Sequence, residues 1–160
     1  MSKALVAFFS ASGSTRKLAN TLAEAIGADT YEIKPETRYT GKDLNWNDKQ
    51  SRSSVEMDDI NSRPALADKS AQVADYDTIF LGFPIWWYVA PHIINSFLES
   101  YDFAGKTIVI FATSGGSGFG DTLNQLKPSC DASVRWIAGQ VFRSRTDKAT
   151  LADWVKGLAL

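Results

Sequence analysis

Apolar runs and helically spaced apolar positions alternate along the chain. Leu5 to Phe9 is a short, wholly apolar run rich in Phe, the pattern of a buried strand. After it, Leu18, Leu22 and Ile26 recur four apart while Arg16, Lys17, Asn20 and Glu24 fall elsewhere, which predicts an amphipathic helix from Gly13 or Ser14 to Ile26. Asp29 to Ile33 reads as a short strand that Pro35 ends. A second buried run, Asp77 to Phe83, leads through a bulky loop to a helix opened by Ala90-Pro91, with Ile93, Ile94, Phe97, Leu98 and Tyr101 at helical spacing. Thr107 to Ala112 is a further buried strand, and Leu123 and Leu126 predict a helix that ends before Pro128. Val134 to Ala138 suits a fifth strand and Gly139 to Arg145 a loop. Thr146 would then cap a last helix through Leu151, Trp154, Val155 and Leu158.

This alternation is that of an α/β protein with a doubly wound parallel sheet. Residues 34 to 67 stand apart: they are poor in apolar positions and read as a long excursion after the second strand, with isolated aromatics at Tyr39 and Trp46. At 160 residues the chain is expected to form a single domain over 1–160. No apolar run is long enough to span a membrane, and the first residues lack a signal-peptide layout, so the expected location is cytoplasmic. One cysteine, Cys130, excludes an internal disulfide, and no Cys/His spacing offers a metal site. A net charge of −1 without a basic cluster argues against nucleic acid.

Three loops carry the candidate chemistry, and each follows a strand at the same sheet edge, where ligands of open α/β sheets sit. The first holds Ser10, Ser12, Gly13, Ser14 and Thr15, four hydroxyls in six positions before a helix start whose N–H groups have no partner within the helix. Its natural guest is a phosphate. The second, Pro84-Ile85-Trp86-Trp87-Tyr88, offers flat faces for a planar ring. The third, Thr113-Ser114-Gly115-Gly116-Ser117 and the glycines beyond, exposes backbone groups to the polar edge of a heterocycle. Phosphate, ring and ring edge together describe flavin mononucleotide (FMN) better than a simple nucleotide.

These motifs, in this order, resemble the flavodoxin-like FMN proteins, with the Pro-Ile-Trp-Trp run and the excursion around Arg63-Pro64 most similar to a bacterial branch of small flavodoxin-like proteins. The resemblance implies a five-stranded sheet of order 2-1-3-4-5. It also implies that Ser10, Ser12, Gly13, Ser14 and Thr15 hold the FMN phosphate. Pro84, Ile85, Trp86, Trp87 and Tyr88 would line the isoalloxazine, and Thr113, Ser114, Gly115, Gly116 and Ser117 would meet the ribityl chain and pyrimidine edge. The redox chemistry would belong to the flavin, with no catalytic side chain and no metal.

Each motif has a plainer alternative. The first loop could be an ordinary helix cap, and Trp86-Trp87 a core contact or a homodimer interface. Arg52 and Arg63 read as surface charges before anion ligands. His92 reads as a surface histidine before a proton donor, and Cys130 as inert. A phosphoacceptor receiver would need carboxylates where the chain has Ser10 and Phe83, and a P-loop would need Gly-Lys-Ser/Thr. Flavodoxin shuttles are strongly acidic, whereas this chain is nearly neutral. The leading expectation is therefore an FMN-dependent oxidoreductase passing electrons from NAD(P)H to a quinone-like or other small acceptor. An electron carrier exchanging with protein partners, and an FMN module that assembles or regulates, are the alternatives.

Overall fold

In the computed structural model, which describes residues 3–114, 118–158 and 160, five parallel strands form one sheet of order β2-β1-β3-β4-β5. The strands are β1 (Ala4–Phe8), β2 (Asp29–Glu32), β3 (Thr78–Pro84), β4 (Thr107–Thr113) and β5 (Arg135–Phe142). The helices are α1 (Ser14–Ile26), α2 (Arg52–Asp58), α3 (His92–Glu99), α4 (Thr122–Leu126) and α5 (Lys148–Lys156). The three inner strands carry the uninterrupted apolar runs, because both of their faces are covered. On one face Leu18 and Leu22 of α1 and Leu151 of α5 pack on Val6, Phe80 and Val109. On the other, Ile93, Ile94 and Phe97 of α3 pack on Ala7, Ile79 and Ile110. Among the described residues no helix is long and apolar enough to cross a membrane.

Four local expectations change. The fifth strand does not stop at Ala138: it continues to Phe142 through a bulge between Ile110 and Phe111 on its partner, and Gly139 makes this possible. A Cβ at Gly139 would lie 2.0 Å from the Ile110 carbonyl oxygen, so the glycine is a close-approach residue and not a loop signal. The last helix is capped by Asp147, whose carboxylate accepts the Thr150 N–H at 2.9 Å, while Thr146 turns its hydroxyl to the Arg143 carbonyl. The excursion contains the two-turn helix α2, capped by the Ser51 hydroxyl, which accepts the Ser54 N–H. His92 is buried, at 4% exposure, and not at the surface.

The excursion is stitched to the α/β body at several points. Antiparallel bonds run from the Glu36 N–H to Ala65 O and from the Ala67 N–H to Lys34 O, closing its two ends on each other. Ser62 Oγ donates to the Glu56 carbonyl at 2.5 Å and lies 2.7 Å from His92 Nδ1. Since a carbonyl can only accept, the Ser62 proton is committed to Glu56, and Nδ1–H of His92 is the donor to Ser62. Arg63 pairs with Glu99 of α3 at 3.0 Å.

Candidate functional site

The carboxyl ends of β1, β3 and β4 bring the three loops to one edge. In the first loop the chain leaves β1 through buried Phe9 and reaches Gly13, which has φ of +99°, a left-handed value that suits glycine. Ser10 Oγ accepts the Gly13 N–H at 3.0 Å, so this serine braces the loop from inside. No side chain caps α1: Lys17 is the first residue whose N–H reaches back, to Gly13 O at 3.1 Å. The earlier N–H groups of the helix, with the positive end of its dipole, face the loop, and Ser12 and Ser14 stand exposed beside them. Arg16 lies close by, Nη1 being 3.8 Å from where a Gly13 Cβ would be. Its guanidinium forks onto the Glu32 carboxylate at 3.2 and 2.6 Å. This is the plain helix cap's opposite: an uncapped start ringed by donors, fit for an anion.

Thr15 behaves differently from its neighbouring hydroxyls. It is buried, and its hydroxyl lies 2.8 Å from that of buried Thr113 at the end of β4, tying the first loop to the third. Ser114 is half-buried next to it; Gly115, Gly116 and Ser117 lie outside the described residues.

The second loop is a two-residue hairpin. Trp86 and Val89 exchange both backbone hydrogen bonds, at 2.9 and 3.1 Å, and between them Trp87 and Tyr88 have φ of +50° and +67°. Both central residues are thus left-handed, as in a type I′ turn, which normally takes Asn-Gly. For side chains with a Cβ this conformation costs about 1–2 kcal/mol per residue. The strained pair is also the exposed pair, Trp87 at 45% and Tyr88 at 64%. Gly120 of the third loop holds the turn from below: it has φ of +52°, and a Cβ there would lie 2.4 Å from Tyr88 O.

Pro84, Ile85 and Trp86 are half-buried and serve the turn more than they face solvent. The Ile85 N–H bonds Thr113 O at 3.0 Å, and Ile85 and Trp86 pack on the core. Trp86 meets Phe9 and Tyr39 edge to face, with ring centroids 5.8 and 5.4 Å apart. Of the two tryptophans, Trp87 therefore has the free face. Gly82, upstream, admits the Phe111 ring, which a Cβ would meet at 2.3 Å.

Tyr39 is the residue that sequence reasoning did not assign to the site. The excursion carries it to the sheet edge, where it packs on both Phe9 and Trp86. The Arg52 guanidinium lies 3.9 Å from its ring centroid, and its hydroxyl donates to the Glu56 carboxylate, which Arg52 also binds at 2.9 Å. Burial and that bond push the Tyr39 hydroxyl well above its ordinary range, so it stays a neutral donor. Its isolation as an aromatic in a polar stretch is the signal that could have found it. Arg52 and Arg63 are both committed to carboxylates, as their surface reading implies.

A cavity of about 660 Å³ opens between the first loop, Phe9 to Gly13, and the excursion segment from Lys34 to Tyr39. Its lining includes Ser10, Ser12 and Gly13 of the first loop, and its Phe9 and Tyr39 are the rings that pack on Trp86.

A profile of the flavodoxin family matches residues 3–158. The chain belongs to the flavodoxin family. Within it, the chain is similar to an inferred flavoprotein of Bacteroides eggerthii DSM 20697, 46% identical with a TM-score of 0.93 over 100% of this chain and 99% of that one. An inferred flavoprotein of Bacteroides uniformis ATCC 8492 is 48% identical, with a TM-score of 0.90 over 97% and 98% of the two chains. The fold is also that of a Lactobacillus acidophilus NCFM flavoprotein solved in complex with FMN, 21% identical with a TM-score of 0.68 over 97% and 99%. No curated protein matches the chain. FMN, the cofactor expected from the three loops, is the one bound in the structure of the Lactobacillus flavoprotein.

Proposed function

We propose that the protein binds one FMN noncovalently and works as an FMN-dependent oxidoreductase, taking electrons from NAD(P)H and passing them to a quinone-like or other small acceptor. The observation that carries the reading is the uncapped start of α1 at the same sheet edge as the strained, exposed Trp87-Tyr88 turn. A helix start ringed by hydroxyls suits the phosphate, and strain held at two exposed aromatics suits a ring that stacks on them. The FMN complex of the Lactobacillus flavoprotein supports the choice of cofactor.

A bound flavin would supply the redox chemistry, two-electron exchange between a nicotinamide donor and the acceptor. The chain's part is positional. The Gly13 turn lets the backbone approach the phosphate, and the α1 dipole favours its charge. Trp87 offers a face to the ring, while Trp86, Tyr39 and Phe9 hold the hairpin in place. The Thr15–Thr113 pair keeps the phosphate loop and the third loop in register. A net charge of −1 supports a reductase of small molecules over a carrier that relies on strong acidic steering.

The test is anaerobic mixing of the FMN-loaded protein with NADPH or NADH. Rapid bleaching of the flavin band is the expected result and leads to a quinone screen. A flavin that stays oxidised until a separate reductase is added would replace the enzyme reading by the carrier.

A further inference from the structure

We propose that Arg38, on the excursion, supplies the positive charge that meets the FMN phosphate and so sets the preference of the site for FMN over flavins that lack a phosphate. The inference rests on the FMN reading above and adds a residue to its phosphate end. One cavity joins the two sides: Ser10, Ser12 and Gly13 of the first loop line it, and so does the excursion segment that carries Arg38. A phosphate monoester carries about −1.5 to −2 charges at neutral pH. A helix start offers about half a positive charge, and the serine hydroxyls are neutral. Much of the phosphate charge is therefore left for a side chain of the cavity wall to meet.

Arg16, Lys34 and Arg38 line the cavity, against Glu32 and Glu36. Arg16 is nearest to the loop in sequence, but its guanidinium is forked onto Glu32 at 3.2 and 2.6 Å. Lys34 lies within electrostatic reach of the Asp68 carboxylate. Arg38 makes no ion pair among the described residues, and its side chain is exposed. Its backbone, by contrast, is pinned on both sides. Arg52 Nη1 donates to the Thr37 and Arg38 carbonyls at 2.6 and 3.4 Å, and the next residue, Tyr39, packs on Phe9 and Trp86. A guanidinium without a partner is thus carried on a fixed stretch of chain that shares a cavity with the phosphate loop. Its fork matches phosphate oxygens well.

The experiment is titration of the full-length apoprotein with FMN and with riboflavin, in the wild type, Arg38→Gln and Arg38→Lys, at about 0.01 M and about 1 M salt. Arg38→Gln is expected to weaken FMN about five- to tenfold at low salt and to leave riboflavin unchanged. At high salt its gap to the wild type should close, because an exposed cation is screened there. Arg38→Lys keeps the charge and should keep most of the preference for FMN. FMN affinity that does not move in an Arg38→Gln protein with native circular dichroism overturns the proposal. So does an equal loss for FMN and riboflavin, since Arg38 would then shape the loop and not meet the phosphate. An Arg38→Lys protein that falls as far as Arg38→Gln overturns it too. The wild type separates the two failures: a preference for FMN with an unmoved Arg38→Gln condemns the role of Arg38 alone, and FMN bound no better than riboflavin condemns the phosphate reading along with it.

Discussion

The hydroxyl of Thr15, in the first turn of α1, lies 2.8 Å from the hydroxyl of Thr113, the last residue of β4, and both side chains are buried. Removing one partner leaves the other buried without its bond, so Thr15→Val or Thr113→Val alone is expected to cost about 1–2 kcal/mol. The double variant replaces both hydroxyls by methyls and should cost clearly less than the sum. Chemical denaturation of the four proteins in a double-mutant cycle measures this. Additive losses would mean that the two hydroxyls do not act on each other.

Trp87 and Tyr88 occupy a turn whose backbone favours Asn-Gly. Trp87→Asn/Tyr88→Gly is therefore expected to raise the melting temperature, by relief of about 2–4 kcal/mol of left-handed strain. The same variant should lose FMN affinity because the stacking faces are gone. A melt and a flavin fluorescence titration on one preparation check both directions. A variant that is more stable and binds FMN as well as the wild type would sever the strain from the cofactor.

His92 titrates below the ordinary histidine value of 6.5, first because burial disfavours the imidazolium and further because Arg63 is near; Glu56 and Asp59 oppose this. The unfolded chain therefore binds the proton more readily than the native one. Its contribution to stability is complete above pH 6.5 and falls as the pH drops through that value toward the folded pKa. His92→Gln, which retains a donor toward Ser62, should flatten the loss of stability between neutral and mildly acidic pH. An unchanged slope in urea unfolding across that window would contradict the assignment.

Cys130 is half-buried, and burial with the nearby Glu99 carboxylate pushes its thiol up to about 12. Little thiolate exists at neutral pH. Native protein is expected to react with a disulfide reagent at neutral pH at least about tenfold more slowly than unfolded protein. Equal rates would show that the thiol is open.

Regular elements were legible wherever one local signal agreed with burial. The apolar runs inside β3 and β4 and the four-residue spacing of Leu18 and Leu22 each had one reading. Gly139 misled because a glycine that ends a strand and one that admits a neighbouring carbonyl look alike until the Ile110 backbone is beside it. The short α2 has Ser51 as a cap but only a few apolar positions, too few to show a period. At the site, residue types gave the phosphate loop and the aromatic turn, since hydroxyls before a helix and adjacent tryptophans are local facts. The partnership of Thr15 with Thr113 spans 98 positions and the delivery of Tyr39 to Phe9 spans the whole second strand, so only the fold discloses them.

The central claim is that the first loop holds the phosphate of FMN. It is tested most directly by titrating the apoprotein with FMN and with riboflavin, which carries the same ring and ribityl chain without the phosphate. The account predicts that FMN binds at least about a hundredfold more tightly, a difference of about 2.7 kcal/mol assigned to the uncapped start of α1 and the Gly13 turn. Equal affinity for the two, or no binding of either, would contradict it.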